Sequence, residues 1–427
     1  LKKLLGLLAL TGFLGNTAFG ITLNQAEELA IKNYPKLKEL QALSESSKEQ
    51  AKAIKRERFG TINVFTSYTT YNKNLVLTPL YYMPSPKNPP PFDSRKVVYG
   101  IDFSVPLYLG GTIGKRVEIE KLKSNLFKTL KEDAKWQIKF NVDSAYLSYL
   151  RLEEIKKALK DYEKSLQKLR SDVEAGVKAG KFARVDLLKV DYSLQDVRAK
   201  IKEVEKNQET LKTVLETLTG KKIEKIEPYK VDYTPKNYSL NSLYLKALSS
   251  NNSIKSKKKE VLIAQKGVEL TKGKYGLKLL LDGNYARNYG FDSGENTGIG
   301  SVSVKIAYPI LEWGRKERET LSKELIKIAK EKELRDSELS LKRELSKAIN
   351  SLESIQSDIE AYRTKLAYAK EVERIERLKY ESGKGDMDHL LLAEAHRFLT
   401  EAQLKGAYYS WEIEKRRIEA LLEAEDE

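Results

Sequence analysis

From Asn141 to Gln195 and just beyond, apolar residues recur at steps of three and four. Val142, Ala145, Tyr149, Leu152, Ile155, Leu159, Tyr162, Leu166, Leu169 and Val173 form one series, and Val190, Leu194, Val197, Ile201 and Val204 a second. Such steps keep one stripe of a 3.6-residue helix apolar, which is the seam of a coiled coil. Between the two series the chain breaks at Ala179-Gly180-Lys181, so the pattern predicts a helical hairpin with a glycine at its tip. The stepping returns at Leu341, Leu345, Ala348, Leu352, Ile355, Ile359, Tyr362, Leu366 and Ala369 and breaks again at Ser382-Gly383-Lys384.

Ahead of each hairpin the period drops to two. Ile62, Val64, Thr66 and Tyr68 alternate with Asn63, Phe65 and Ser67, and Val97, Tyr99, Ile101, Phe103 and Val105 alternate with Gly100, Asp102 and Ser104. In the second half Leu279, Leu281, Gly283 and Tyr285 share a face, and Val302, Val304, Ile306 and Tyr308 alternate with Ser301, Ser303 and Lys305. Strands of about ten residues with one apolar and one polar face suit a membrane barrel, whose lipid and lumen sides alternate along the backbone. The segment from Thr78 to Phe92 carries Pro84, Pro86 and Pro89 to Pro91 beside Tyr81 and Tyr82. Proline cannot donate to a ladder, so this is a loop; a polyproline ligand is the rival reading. Pro106 and Gly110-Gly111 are read as the end of the second strand, and the glycine-rich stretch Asn288 to Gly300 as a hairpin loop.

The two halves repeat. Pro106, Gly111 and Gly180 return as Pro309, Gly314 and Gly383, each 203 positions on. The organisation expected is a leader over 1–20, a first repeat over 21–220, a link over 221–238 and a second repeat over 239–424. Strands are expected near 61–72, 96–106, 277–289 and 299–308, long helices near 112–176 and 314–381, and tips near 177–184 and 382–388. A helix of some 60 residues would reach about 90 to 100 Å at ~1.5 Å per residue, more than a globular core needs. The fold class is mainly α with a membrane β-barrel, built from a duplicated helix-strand-strand-long helix-helix unit.

Charge changes this picture little. Lys and Arg total 77 against 61 Asp and Glu, a net +16. The two signs are interspersed, as in Glu153-Glu154-Ile155-Lys156-Lys157, which describes a solvated helix face better than a nucleic-acid surface. Cysteine is absent, so disulfides, thiolate metal sites and thiol catalysis are unavailable. No Ser-His-Asp order, HExxH or phosphate loop occurs; no catalytic residue, cofactor or metal is expected. Lys2 and Lys3, the apolar run Leu4 to Leu14 and Ala18-Phe19-Gly20 read as a secretory leader cut after Gly20. Aromatics at the strand ends (Tyr99, Tyr108, Tyr289, Tyr308 and Trp313) suit an interface girdle, and Trp136 and Trp411 suit helix packing.

Two strand pairs are too few for a closed barrel, which needs about eight strands at least, so several copies must combine. Here the chain resembles the TolC-type outer membrane efflux proteins. The likeness rests on Leu23-Asn24-Gln25-Ala26, the strand exits Pro106-Leu107-Tyr108-Leu109-Gly110-Gly111 and Pro309-Ile310-Leu311-Glu312-Trp313-Gly314, and the tips Ala179-Gly180-Lys181 and Tyr380-Glu381-Ser382-Gly383, in order and in duplicate. It implies a homotrimer whose twelve strands form one outer-membrane barrel, in contact with outer membrane lipids, and whose twelve helices form a periplasmic tunnel. It implies a passive duct without nucleic-acid contacts, served by a periplasmic adaptor (membrane fusion protein) and an inner-membrane pump of RND, ABC or MFS type. A soluble periplasmic coiled-coil adaptor or structural protein is the alternative; a DNA-binding coiled coil ranks third.

The resemblance also implies a periplasmic gate at the tips. Asp186, six residues after the first tip glycine, and Tyr380, three before the second, match the family's closing set. Gly385 stands where an arginine is expected, and His389 and Leu392 stand where some members carry acidic rings. Asp386 and Asp388 are candidates for negative charge there. A trimeric ring of His389, with His396 seven residues on, could sense pH or bind a metal; exposed or interhelical histidines are the plainer reading. Gly180, Lys181, Phe182, Gly383, Lys384 and Gly385 are the expected adaptor-docking tips.

Overall fold

The computed structural model describes residues 20–80 and 82–424; the leader reading falls on residues outside them. The elements are α1 (Leu23–Asn33), α2 (Pro35–Arg56), a 3-10 turn (Glu57–Phe59), β1 (Thr61–Val76), β2 (Phe92–Leu109), α3 (Thr112–Lys178), α4 (Arg184–Thr219), α5 (Leu240–Ser250), α6 (Asn252–Lys274), β3 (Lys278–Gly290), β4 (Asn296–Ala307), α7 (Arg315–Glu381) and α8 (Met387–Leu422). Among the described residues no helix is long and apolar enough to cross a membrane. The chain divides into two compact units, one ending at Lys38 and resuming over Glu132–Asn251 and from Leu339, the other formed by Glu39–Lys131 and Asn252–Glu338.

The first unit is helical. Its α1 opens on a capping box, in which the Gln25 N–H donates to Thr22 Oγ1 and the Thr22 N–H donates to Gln25 Oε1. Ser239, the counterpart ahead of α5, makes no such bond. One core gathers Leu23, Ala26 and Ala30 of α1 with Ile138, Val142 and Tyr146 of α3, Leu215 of α4 and Ile223 and Ile226 of the link. The link is tied down because the Ile21 N–H donates to Lys225 O at 2.9 Å and the Glu227 N–H donates to Ile21 O at 3.0 Å. Beside this core Arg416 of α8 donates to Asp143 at 3.0 Å, Glu412 at 3.0 Å and the Tyr229 hydroxyl at 3.1 Å. Asp143 is only 2% exposed, and burial, then the Glu27 carboxyl, outweigh Arg416 and push it up to about 8.

The second unit carries the sheet, in the order β1-β2-β3-β4 and antiparallel throughout. Register places Ile62 opposite Phe103 and Val64 opposite Ile101, Phe103 opposite Gly283 and Ile101 opposite Tyr285, and Gly283 opposite Val302. These residues share one apolar face, since paired residues point the same way. The other face bears the row Asn63-Asp102-Asn284-Ser301, joined by bonds of 2.7 Å from Asn63 to Asp102 and 2.9 Å from Ser301 to Asn284. The outer edges of β1 and β4 pair with no other strand among the described residues, and their Ile62, Val64, Val302, Val304 and Ile306 are exposed.

Three of the four strands outrun the expected ones, and the loop expected over Asn288 to Gly300 shrinks to residues 291–295, because β3 runs to Gly290 and β4 starts at Asn296. β1 continues to Val76 and β2 begins at Phe92, with a register shift between Thr70 and Leu75. Backbone pairing resumes beyond the shift at Leu75–Asp93, where side-chain alternation no longer marks it. Pro106 lies inside β2 rather than at its end; a shift between Pro106 and Tyr108 accommodates the missing N–H.

Candidate functional site at the hairpin tips

Both hairpins turn by the same backbone device. α3 leads into Gly180 at φ +73°, with the Lys181 N–H donating to Gly176 O at 2.8 Å and the Gly180 N–H to Val177 O at 3.0 Å. α7 leads into Gly383 at φ +71°, with Lys384 N–H donating to Lys379 O at 2.9 Å and Gly383 N–H to Tyr380 O at 3.0 Å. This pair of bonds is the Schellman motif, which satisfies the last helical carbonyls and requires a left-handed residue where glycine is cheapest.

The side chains then break the symmetry. Phe182 follows the first tip, and its ring lies where a Cβ on Gly176 would approach within 2.0 Å. The equivalent of Phe182 in the second tip is Gly385, and a Cβ there would meet Tyr380 N at 2.8 Å. With small residues at 176 and 385, the one large ring of the first tip stacks on Tyr380 of the second, centroids 5.1 Å apart and planes at 18°. The tips are therefore joined by an aromatic contact that caps a core of Val173, Val190, Leu194, Met387 and Leu390.

Tyr380 is buried, and its hydroxyl finds no hydrogen-bond partner among the described residues. Burial, and then the charge of Asp186, push the phenol up to about 12. The family-derived set thus brings Asp186 near Tyr380 without a bond between them. Asp186 lies in the first turn of α4, whose N-cap Ala183 makes no side-chain bond, and a negative charge in that turn is favoured by the helix dipole.

Lys189, which sequence reasoning passed over, is the residue on which the acidic groups converge. It donates to Asp388 Oδ2 at 2.6 Å and is held above the ordinary lysine range by that bond, with Asp386 and Asp186 adding to it. Asp386 caps α8 by accepting from the Asp388 N–H at 2.8 Å. Lys189 lies one turn after Asp186, a spacing present in the sequence but indistinguishable there from an ordinary surface pair.

Further along the hairpins Glu394 of α8 is fully buried and paired with Arg377 of α7. Arg377 also bonds Glu373 at 3.3 Å, and Arg397 bonds Glu373 at 2.6 Å. Burial raises Glu394 above the ordinary carboxyl range against the pull of Arg377.

His389 and His396 are exposed in the single chain, along a groove of about 350 Å³ between α7 and α8 that also takes in Tyr368, Val372, Glu376 and Leu392. No group of three metal-ligating side chains occurs among the described residues. A second groove of about 530 Å³ runs between α4 and α8, where Val185, Leu188, Tyr192 and Leu392 are exposed. Lys181 and Lys384 are exposed at the ends of the tips.

A family model described as outer membrane efflux protein matches residues 27–221 and 243–423. No curated protein matches the sequence significantly. Among solved structures the fold is similar to that of CusC, a protein that forms a transmembrane channel, with a TM-score of 0.80 at 15% identity over 97% of this chain and 96% of that one. It is similar to the outer membrane protein VceC of Vibrio cholerae, with a TM-score of 0.76 at 16% identity over 93% and 95%. The outer membrane channel CmeC of Campylobacter jejuni gives 0.77 at 16% identity over 97% and 90%. The family match sets aside the soluble adaptor and the DNA-binding coiled coil. The chain belongs to the outer membrane efflux protein family: it is a non-enzymatic channel component of a tripartite efflux or secretion system, placed in the outer membrane of a Gram-negative-type bacterium and reaching into the periplasm.

Proposed function

We propose that three copies of the chain close edge to edge, β4 of one against β1 of the next, into a twelve-stranded barrel continued by a twelve-helix periplasmic tunnel. The observation that carries this is the sheet: two unpaired edges, one apolar face and one polar face. An exposed edge of this length is unstable alone, in water or in lipid, because its N–H and C=O groups need partners. Closure satisfies both edges, turns the apolar face to lipid and lines the duct with the Asn63-Asp102-Asn284-Ser301 row.

In this assembly the tips form the gate. Asp186, Tyr380, Asp386, Asp388 and His389 line or latch it, and Lys189 holds the α4 and α8 tips together through Asp388. The ends Gly180, Lys181, Phe182, Gly383, Lys384 and Gly385 receive a periplasmic adaptor, behind which an RND, ABC or MFS pump supplies the energy. The duct conducts passively. Native mass spectrometry of detergent-extracted protein, with planar-bilayer recording, tests the reading. A trimer with discrete channel currents is expected; a monomer recovered from the soluble periplasm overturns it.

A further inference from the structure

We infer that removal of the leader completes a site beside the start of α1: hydrolysis of the Gly20–Ile21 bond leaves an Ile21 ammonium that pairs with the Glu227 carboxylate and fastens the new chain end to the inter-repeat link. The inference rests on the leader reading and is independent of the trimeric duct proposed above. Every group in it belongs to the helical unit. Ile21 is held from two sides. Its N–H donates to Lys225 O at 2.9 Å, and its carbonyl accepts from the Glu227 N–H at 3.0 Å. The Tyr146 hydroxyl of α3 lies 2.9 Å from Ile21 O and 2.6 Å from Glu227 O. These bonds form a parallel bridge between Ile21 and Ile226, and the Ile21 side chain packs on the core of α1, α3 and α4. Thr22 is already the N-cap of α1, so a cut after Gly20 leaves one residue ahead of the helix, the bridged one. New chain ends fray unless tied down, and this one is tied.

The Glu227 side chain supplies the counter-charge. It fills the space into which a Cβ on Gly20 would project, so its carboxylate lies against the residue whose bond to Ile21 is cut. Glycine at 20 therefore serves twice, as the small residue a leader peptidase needs at the cleavage site and as room for Glu227. In the cut the oxygen of a water molecule joins the Gly20 carbonyl carbon, the C–N bond breaks, and the Ile21 nitrogen takes up protons until it is an ammonium. That nitrogen now carries three hydrogens instead of one. One keeps the Lys225 carbonyl, and the others face the space that Gly20 leaves, where Glu227 stands. A hydrogen bond between two charged groups is roughly twice as strong as a neutral one, and the uncut chain has none to make here. The ionisable groups around the new amine are Glu227 and Lys225 of the link and Tyr146 of α3, with Tyr409 of α8 packed on the same core. Lys225 pairs with Glu227 at 3.0 Å and opposes a second cation. Burial, and then the charge of Glu227, push the Tyr146 phenol up to about 12, so it stays neutral and leaves Glu227 as the partner.

The test uses mature protein extracted from the outer membrane in detergent, labelled with trace acetic anhydride from pH 6 to 10, with the N-terminal peptide read by mass spectrometry. That peptide should begin at Ile21; another first residue overturns the leader reading and the site with it. The amine should titrate about one unit above the ordinary α-amino range, so that near neutral pH it is labelled about tenfold more slowly than in Glu227→Gln, which keeps the side chain's shape and removes its charge. Lys225→Gln, which frees Glu227 from its present cation, should move the midpoint further up, a change that loss of the fold would not produce. An Ile21 start with the same midpoint in wild type and Glu227→Gln overturns the site while the leader reading and the duct stand.

Discussion

Replacing Arg377 by methionine should loosen the α7–α8 hairpin selectively. The substitution keeps the aliphatic stem and deletes the guanidinium, leaving Glu394 fully buried without its closest cation. Stranding one member of a buried pair costs about 3 to 5 kcal/mol. Arg377 is partly exposed and Arg397 remains nearby, bonded to Glu373, so the low end of about 3 kcal/mol applies. At about 1.4 kcal/mol per decade this is roughly a 150-fold rise in hydrogen exchange for amides that open with the hairpin. Peptides over residues 370–400 would be followed by exchange mass spectrometry at pH 7. The pH dependence has a fixed sign. Glu394 already sits above the ordinary carboxyl range, so its contribution to stability is present below that range and lost as pH rises through the folded value. Removing Arg377 raises that value further, so the defect should shrink as pH falls toward the carboxyl range. Arg377→Met/Glu394→Gln should recover most of the protection, because no charge is then left buried. Wild-type exchange in Arg377→Met, or no recovery in the double variant, would refute the reasoning.

Asp186→Ala should raise single-channel conductance in planar bilayers by removing charge that faces Lys189 and Tyr380; unchanged conductance would take Asp186 out of the gate. Gly176→Ala should displace Phe182, forfeiting an aromatic pair worth about 1 kcal/mol, and should increase protease nicking at the tips, read by mass spectrometry. Asp143→Asn should flatten the alkaline side of the stability profile. A carboxyl raised to about 8 contributes stability below the ordinary aspartate range and loses it as pH rises through about 8, so wild type should weaken between pH 5 and 9 by roughly 1 kcal/mol or more relative to the variant. Thermal unfolding in detergent across that range reads the difference.

The candidate site was only partly legible. Gly180 and Gly383 stood out because a left-handed helix exit has a strong residue preference. Lys189, the Phe182–Tyr380 stack and the Glu394–Arg377 pair did not, because each joins residues from different elements, and the relative rotation of packed helices is not written in any one helix's period. His389 and His396 were conspicuous only by rarity; in the single chain they lie exposed along a groove.

By itself the sequence determined the duplication at a spacing of 203 residues and the switch from a period of two to one of three and four. Both follow from local rules: alternation fixes which strand residues share a face, and heptad stepping fixes a seam. Tertiary structure alone decided the register that gathers Ile62, Phe103, Gly283 and Val302 onto one side, the passage of β2 through Pro106, and the burial of Glu394. Those depend on how segments far apart in the chain are set against one another, and a register slip of one residue would have exchanged the apolar and polar faces of the sheet with the same sequence.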